Sequence, residues 1–358
     1  MSATSVRFLR DRVVLNHTFG VSRESYRELN CMFAVMSDGE HSGLGEATEF
    51  MPTVYGSGIE DMLACEPAVT ALLDKVGWVH PTEFHPHLEA LLPDRPFVRC
   101  AVDVAYWDLY ARRLGKPLFE VLGFENVNLA RSNYSIGLAS VEDMQLRAER
   151  ASAWPAFKVK LGRDNDIDIV RAIRAVSDKP IVVDANCGWT LKEAIEKIHL
   201  LAELGVTEVE QPLPSDQWGA MKTLKKISPV ALIADESCTS LASLEACVGA
   251  FDKINAKLMK SGGITPVLRL FERAAELGLR PMLGCMPETP VGIAAICQFA
   301  PIVETIEIDS VAFVVSEHAT GVAIENGTIT LDNAALGTSA KLALKIRPAG
   351  PPCSAEPA

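Results

Sequence analysis

Short apolar runs end near Lys160, Asp184, Glu210, Asp235, Lys257, Leu283 and Glu307, and these positions are separated by 24, 26, 25, 22, 26 and 24 residues. A strand, a polar loop and an amphipathic helix fill that length, as in one unit of a (β/α)-barrel. The stretch from Tyr134 to Gly137 supplies a first strand and brings the count to eight. Helices fit between the runs, for example over 191–204 before Gly205 and over 266–277 before Gly278, since glycine readily takes the left-handed conformation that closes a helix. A doubly wound open sheet is the alternative. Eight units without a glycine-rich nucleotide turn favour closure.

The N-terminal third reads differently. Strand-like runs at 6–14, 31–36 and 42–46, with Ser37, Asp38 and Gly39 as a turn, suggest an antiparallel meander. Helical spacing follows over 59–92 and 98–114, the latter placing Val102, Ala105, Tyr106 and Leu109 on one stripe. Strands followed by helices predict a separate α+β unit.

At 358 residues, 48% hydrophobic and 22% charged, the chain can bury a large core, and a formal charge of -12 argues against nucleic acid or anionic lipid as partner. A small molecule or a metal ion is the expected partner, with no nucleic acid and no membrane. Arg7, Arg10, Asp11 and Arg12 break up the apolar segment a secretory signal would need, and no run reaches membrane-spanning length. The nine cysteines include no C-x-x-C pair, which suits a reducing cytoplasm. Cys187, Cys238 and Cys285 lie just beyond strand ends, where the packing role outweighs a nucleophilic one for want of a His or Asn partner.

Barrel enzymes draw their chemistry from the C-terminal ends of different strands. Here those ends offer Asp184, Glu210 and Asp235, flanked by Lys158 and Lys160 before and Lys257 after. One carboxylate in such a place is more often a helix cap or an ion-pair partner. Three brought together would repel and raise one another's pKa unless a hard cation joined them, and an all-oxygen donor set fits Mg²⁺ better than Zn²⁺. Lys158 and Lys160 alternate by two and so face the same side of their strand. Each, with the metal charge, would lower the other's pKa and make Lys160 a base near neutral pH, while Lys257 lies across the barrel mouth.

On these residues the chain resembles the enolase superfamily, in its muconate lactonizing subgroup. The match runs through KVKLG at 158–162, DANCGW at 184–189, EQP at 210–212, DES at 235–237 and KLMKSGG at 257–263. GEATE at 45–49 and CAVDVAYWDLYARRLGKPL at 100–118 are similar to the family's capping domain. The resemblance implies an α/β fold, a modified TIM (β/α)-barrel over 129–335 with an N-terminal α+β capping domain over 1–128. A C-terminal segment over 336–358 would return to the cap, its tail fraying from Arg347. It further implies one Mg²⁺ per chain on Asp184, Glu210 and Asp235, and Lys160 and Lys257 as the two acid/base catalysts. Lys158 would tune Lys160 and touch the substrate carboxylate, and Lys260 would be structural. The family is often dimeric or octameric, so a homo-oligomer is expected.

For the substrate, GCMPET at 284–289 is similar to the M-x-E-T element of dipeptide epimerases, which brings Glu288 and Thr289 into the expected substrate site. TVYGSG at 53–58 is similar to theirs as well. Those enzymes carry Asp-x-Asp at the end of strand eight to hold the substrate's ammonium; here the residues are Glu307, Ile308 and Asp309. Epimerases acting on Ala-Glu have an Arg in the loop after the first strand, a place taken by Glu24 with Arg23 beside it. The histidine of the mandelate racemase subgroup is absent after the seventh strand, which argues against acid-sugar dehydration. The expected activity is a racemase/epimerase working on a carboxylate, a dipeptide first, through an enediolate. A cycloisomerase or an o-succinylbenzoate synthase/N-acylamino acid racemase-type enzyme is the alternative.

Overall fold

A computed structural model describes residues 4–20, 25–56, 58–125, 131–315 and 318–343. At the N-terminus β1 (Ser5–Gly20), β2 (Ser25–Ser37) and β3 (Ser42–Thr48) form an antiparallel meander. The first two strands run further than the sequence suggests. Asn16, His17 and Thr18 interrupt the apolar alternation, but Asn16 donates to the Ala312 carbonyl at 3.1 Å and Phe19 stacks on Phe313 at 5.2 Å, so partners from the far end of the chain carry β1 onward. The helical region over 59–92 is three helices, Ile59–Leu63, Glu66–Val76 and Pro81–Leu91. Gly77, at φ +72°, and Pro81 separate the last two.

The helix Pro96–Arg113 joins this unit to the rest. It crosses β3 so closely that a Cβ on Gly45 would lie 1.9 Å from the Ala101 carbonyl oxygen and one on Gly43 2.1 Å from that of Ala105, which accounts for both glycines. Buried Asp108 accepts from the Leu44 N–H at 2.9 Å and the Thr338 N–H at 2.6 Å. On the barrel side, Asp103 accepts from the Thr265 N–H and hydroxyl at 2.9 and 2.8 Å, and the Trp107 indole donates to that hydroxyl at 2.9 Å. Strand, helix and barrel are thus tied by buried bonds whose loss would strand a charged acceptor.

Eight parallel strands follow: β4 (Tyr134–Ile136), β5 (Phe157–Lys160), β6 (Ile181–Asp184), β7 (Val206–Glu210), β8 (Ala231–Ala234), β9 (Lys253–Ala256), β10 (Arg280–Gly284) and β11 (Thr305–Glu307). The chain forms a modified TIM barrel. Adjacent strands pair from β4 through β11, and side chains bring the two ends together: Ser135 N–H donates to Asp309 Oδ2 at 2.5 Å and Ile308 N–H to the Ser132 hydroxyl at 3.1 Å. The register aligns Lys160 with Asp184, and Asp184 with Glu210. Side chains at these strand ends therefore emerge at one level. Helices lie between the strands, among them Leu191–Glu203 and Ile264–Glu276, with Gly205 and Gly278 at positive φ just beyond them.

A short strand after the barrel, β12 (Val314–Val315), returns to β1. Beyond the barrel Gly337 bonds Leu118 N–H at 2.7 Å and Ala340 accepts from Arg112 at 2.9 Å, so this stretch lies against the helix Pro96–Arg113 and its exit. The tail from Arg347 lies outside the described residues. Among those described, no helix is long and apolar enough to cross a membrane.

Candidate active site

Asp184 and Glu210 close their strands, and Asp235 follows β8 by one residue; all three are buried. Each offers an oxygen, and the three oxygens lie within 4.8 Å of one another. Every carboxylate also meets an ammonium. Lys160 bonds Asp184 at 2.6 Å, Lys158 bonds Glu210 at 2.7 Å, and Lys257 bonds Asp235 at 2.8 Å. Lys158 also bonds Glu307 at 2.7 Å, and Lys260 fixes Asp235 from behind through its carboxylate at 2.5 Å and its carbonyl at 2.6 Å.

These pairs share the charge unevenly. Burial works against ionisation of Asp184 and Asp235, but Lys160 with Lys158, and Lys257 with Lys260, outweigh it and hold both carboxyls low. Glu210 goes the other way, pushed up to about 8 by burial and by Asp184, Asp235 and Glu307 against the pull of Lys158. The sequence reading has the lysines lowering each other's pKa. That expectation includes the metal charge; among the protein groups alone, burial opposes the charge of Lys158, yet Glu210, Glu307 and Asp184 together hold its pKa well above the ordinary value. Lys257 is raised too, with Asp235 overcoming its burial.

The donor set suits a hard divalent cation. It consists of carboxylate oxygens alone, it converges in a buried space, and Glu210 is short of positive charge. Beside it Glu236 is pushed up to about 7 by burial and by Asp235 and Asp184, and its buried Oε2 has no hydrogen-bond partner among the described residues. Asn255 donates to Glu210 Oε1 at 3.0 Å and sits where a Cβ on Gly284 would come within 2.7 Å of its amide oxygen. Glu236 lies inside the DES motif at 235–237 but has no role assigned there, and no motif singles out Asn255.

Lys158, Lys160, Lys257, Glu307 and Asp309 line one cavity with Asp235. Lys160 closes β5 and Lys257 follows β9, four strands on, so the two amines face the cavity from opposite sides of the barrel mouth. The other wall is apolar: Phe19, Phe50, Met51 and Tyr55 come from the cap, Met286 and Phe313 from the barrel. Tyr55 and Met286 lie in the TVYGSG and GCMPET motifs, while nothing local in the sequence signals the other four. Cys285 also lines the cavity, its thiol pushed up to about 12 by burial, which keeps it protonated and unreactive.

Glu288 and Thr289 do not belong to that lining. Both are buried against the cap, where Glu46 accepts from the Thr289 N–H at 2.8 Å, the Thr289 hydroxyl at 2.6 Å and the Gly292 N–H at 2.9 Å. Thr289 in turn caps the helix Pro290–Cys297, and Glu288 accepts from the Met286 N–H at 2.8 Å. Their part in the motif is thus met by packing of the loop that carries Met286. Arg23 and Glu24 lie outside the described residues.

Burial, with Glu46 nearby, pushes the Glu288 carboxyl up to about 8. A carboxyl raised on folding stabilises the fold below its unfolded value and loses that contribution as pH rises through the folded one. Glu288→Gln is therefore expected to flatten the decline in stability between pH about 4.5 and about 8, which thermal unfolding across that range checks. A parallel decline in parent and variant would refute it.

Comparison with known proteins agrees with this geometry. The profile of the enolase C-terminal domain-like family matches residues 141–343. The L-Ala-D/L-amino acid epimerase of Maribacter sp. is 37% identical over 316 residues, covering 88% of this chain and 93% of that protein. A dipeptide epimerase from Cytophaga hutchinsonii, solved with Mg and D-Ala-L-Val, shares the fold with a TM-score of 0.89 at 22% identity, over 96% of this chain and 97% of that one. The dipeptide epimerase of Methylococcus capsulatus, solved with Mg and L-Arg-D-Lys, superposes with a TM-score of 0.84 at 26% identity, over 95% of this chain and 100% of that one. With its strand-end carboxylates, its facing lysines and these relatives, the chain belongs to the enolase superfamily and resembles its dipeptide epimerases.

Proposed function

We propose that the protein is a Mg²⁺-dependent dipeptide epimerase, with Lys160 and Lys257 as its acid/base pair. The observation that carries this reading is the placement of the two amines on opposite sides of one cavity, each beside a carboxylate of the triad. Asp184, Glu210 and Asp235 would hold the ion, which supplies electrostatic stabilisation for charge gathering on the substrate carboxylate. The relative from Maribacter is named for an Ala-containing substrate, and the Methylococcus enzyme was solved with a dipeptide and Mg, which supports the same class here.

In this reading one lysine, neutral, takes the α-proton onto Nζ. The C–H electron pair moves into the carboxylate as an enediolate, and the opposite ammonium returns a proton to the other face of the carbon. Asp309 and Glu307 meet the substrate's free ammonium, and the aromatic wall receives its apolar side chain. Such a wall favours Ala paired with an apolar residue over an acidic one. The eight described cysteines are all free, which supports a reducing cytoplasm as the setting.

Incubating a library of Ala-Xaa dipeptides with the enzyme and Mg²⁺ in deuterated water should give α-deuterium in both epimers. No exchange in any member would sink the proposal, while exchange confined to lactone or succinylbenzoate substrates would move it to a lyase of the same superfamily.

Asp309 adds a pH signature. Burial pushes its carboxyl up to about 6, against the pull of the Ser135 N–H, and Glu307 adds to the rise. Protonation removes its charge, so KM for a dipeptide with a free ammonium should rise as pH falls through about 6. Asp309→Asn should raise KM about 10- to 100-fold at neutral pH, the worth of one charge-assisted hydrogen bond, and abolish the acid limb. An unchanged pH profile of KM in the variant would remove Asp309 from ammonium binding.

A further inference from the structure

A second polar cavity, of about 210 Å³, lies between the cap and the barrel, away from the strand-end lysines and carboxylates. On the cap side it is lined by His85, from the helix Pro81–Leu91, and by Arg99, from the helix Pro96–Arg113. On the barrel side it meets Ser261 and, from the helix Ile264–Glu276, Arg269.

The polar groups facing it are buried and unsatisfied. His85 is 1% exposed and neither ring nitrogen has a hydrogen-bond partner. Ser261 is 6% exposed, and its hydroxyl has none either. Arg99 is 8% exposed and spends Nη1 on the Leu92 and Pro93 carbonyls at 2.7 and 2.5 Å, leaving Nε without an acceptor. No carboxylate among the described residues forms an ion pair with this guanidinium. Glu89 and Arg269, both exposed, also line the cavity, and Asp103 interacts electrostatically with His85.

Leaving such groups unpaired is costly, and Glu89 and Asp94 lend the guanidinium a partial counter-charge without pairing with it. A ligand that accepts from all of them removes that cost. The donors differ in kind: the free edge of a guanidinium, an imidazole N–H and a hydroxyl, converging from two cap helices and a barrel turn. Guanidinium edges match the paired oxygens of phosphate and carboxylate, and donors approaching from several sides select the tetrahedral group. Water takes about 30 Å³ in the liquid, so the space exceeds what one small anion fills and leaves room for a substituent.

We propose that this cavity binds a phosphate group, as inorganic phosphate or as a small phosphate monoester, held by Arg99, His85 and Ser261. Ser261 ends the short helix Leu258–Ser261, which directly follows Lys257 and contains Lys260, the residue anchored to Asp235. An occupant would therefore fasten the barrel turn next to the active site to the cap.

Isothermal titration calorimetry of the full chain with inorganic phosphate and with glycerol 3-phosphate tests this, using chloride at matched ionic strength as control. One saturable site per chain with Kd of about 1 mM or below is expected. Tighter binding of the monoester identifies it as the natural ligand, and tighter binding of inorganic phosphate identifies the free anion. His85→Phe and Ser261→Ala should each weaken binding at least tenfold while melting as cooperatively as the parent. Arg99→Gln should abolish it. Should that variant fail to fold, the other two decide. Absence of saturable binding to the parent, or equal affinity in parent, His85→Phe and Ser261→Ala, would overturn the assignment.

Discussion

Lys257→Ala is expected to lower epimerisation by about 10²- to 10⁴-fold, the usual worth of a positioned acid/base group. The fold should survive, because Asp235 keeps Lys260 at 2.5 Å as its partner. The informative result lies in isotope exchange rather than in turnover. With Lys160 intact, the epimer whose α-hydrogen faces it should still exchange with solvent, while the other epimer stays inert. Lys160→Ala should show the mirror image, with Asp184 retaining Lys158 at 3.6 Å. NMR of each pure epimer in deuterated water reads both outcomes. If either variant epimerises at the parental rate, the two-lysine mechanism fails.

Asp235→Asn is the substitution expected to harm the fold most. It takes the charged acceptor from two buried ammoniums, Lys257 and Lys260, at once. Breaking a buried pair by removing one partner costs about 3 to 5 kcal/mol, a large part of the stability of an ordinary domain. Glu210→Gln makes the contrast. Glu210 already sits at about 8, close to neutrality, and its partner Lys158 keeps Glu307 at 2.7 Å. That variant should cost far less stability in metal-free protein while losing as much affinity for Mg²⁺. Urea unfolding in chelator, set beside Mg²⁺ titration of both variants, separates the effects. Equal losses of stability would show that the ion pairs do not govern the fold of the site.

The barrel was legible in the sequence because its signal is periodic and local: each strand end stands one unit from the next, and Lys160, Asp184, Glu210, Asp235 and Lys257 fall at those ends. The cavity's apolar wall was not. Phe19, Phe50 and Phe313 come from separate stretches of the chain and meet only through the docking of cap on barrel. The same long range explains Glu288 and Thr289. Their motif reads as a substrate contact, but the residue that satisfies Thr289 is Glu46, 243 positions earlier, and no local pattern reports such a bond. The rise at Lys158 comes first from Glu210, already placed at a strand end, and then from Glu307, 149 residues away.

The crossing of Gly43 and Gly45 against the helix Pro96–Arg113 has a bearing on how such a protein can change over generations. That contact, with the bolts at Asp103 and Asp108, fixes the cap by its inner face and leaves Phe50 and Met51 at the cavity edge outside the ion pairs that hold lysines to carboxylates. Substitutions among those side chains can reshape the space offered to a substrate without disturbing the charges that move a proton. Part of the selectivity is thereby laid on a stretch of the chain apart from the proton-moving charges, so that a lineage can explore new substrates while its chemistry stays constant.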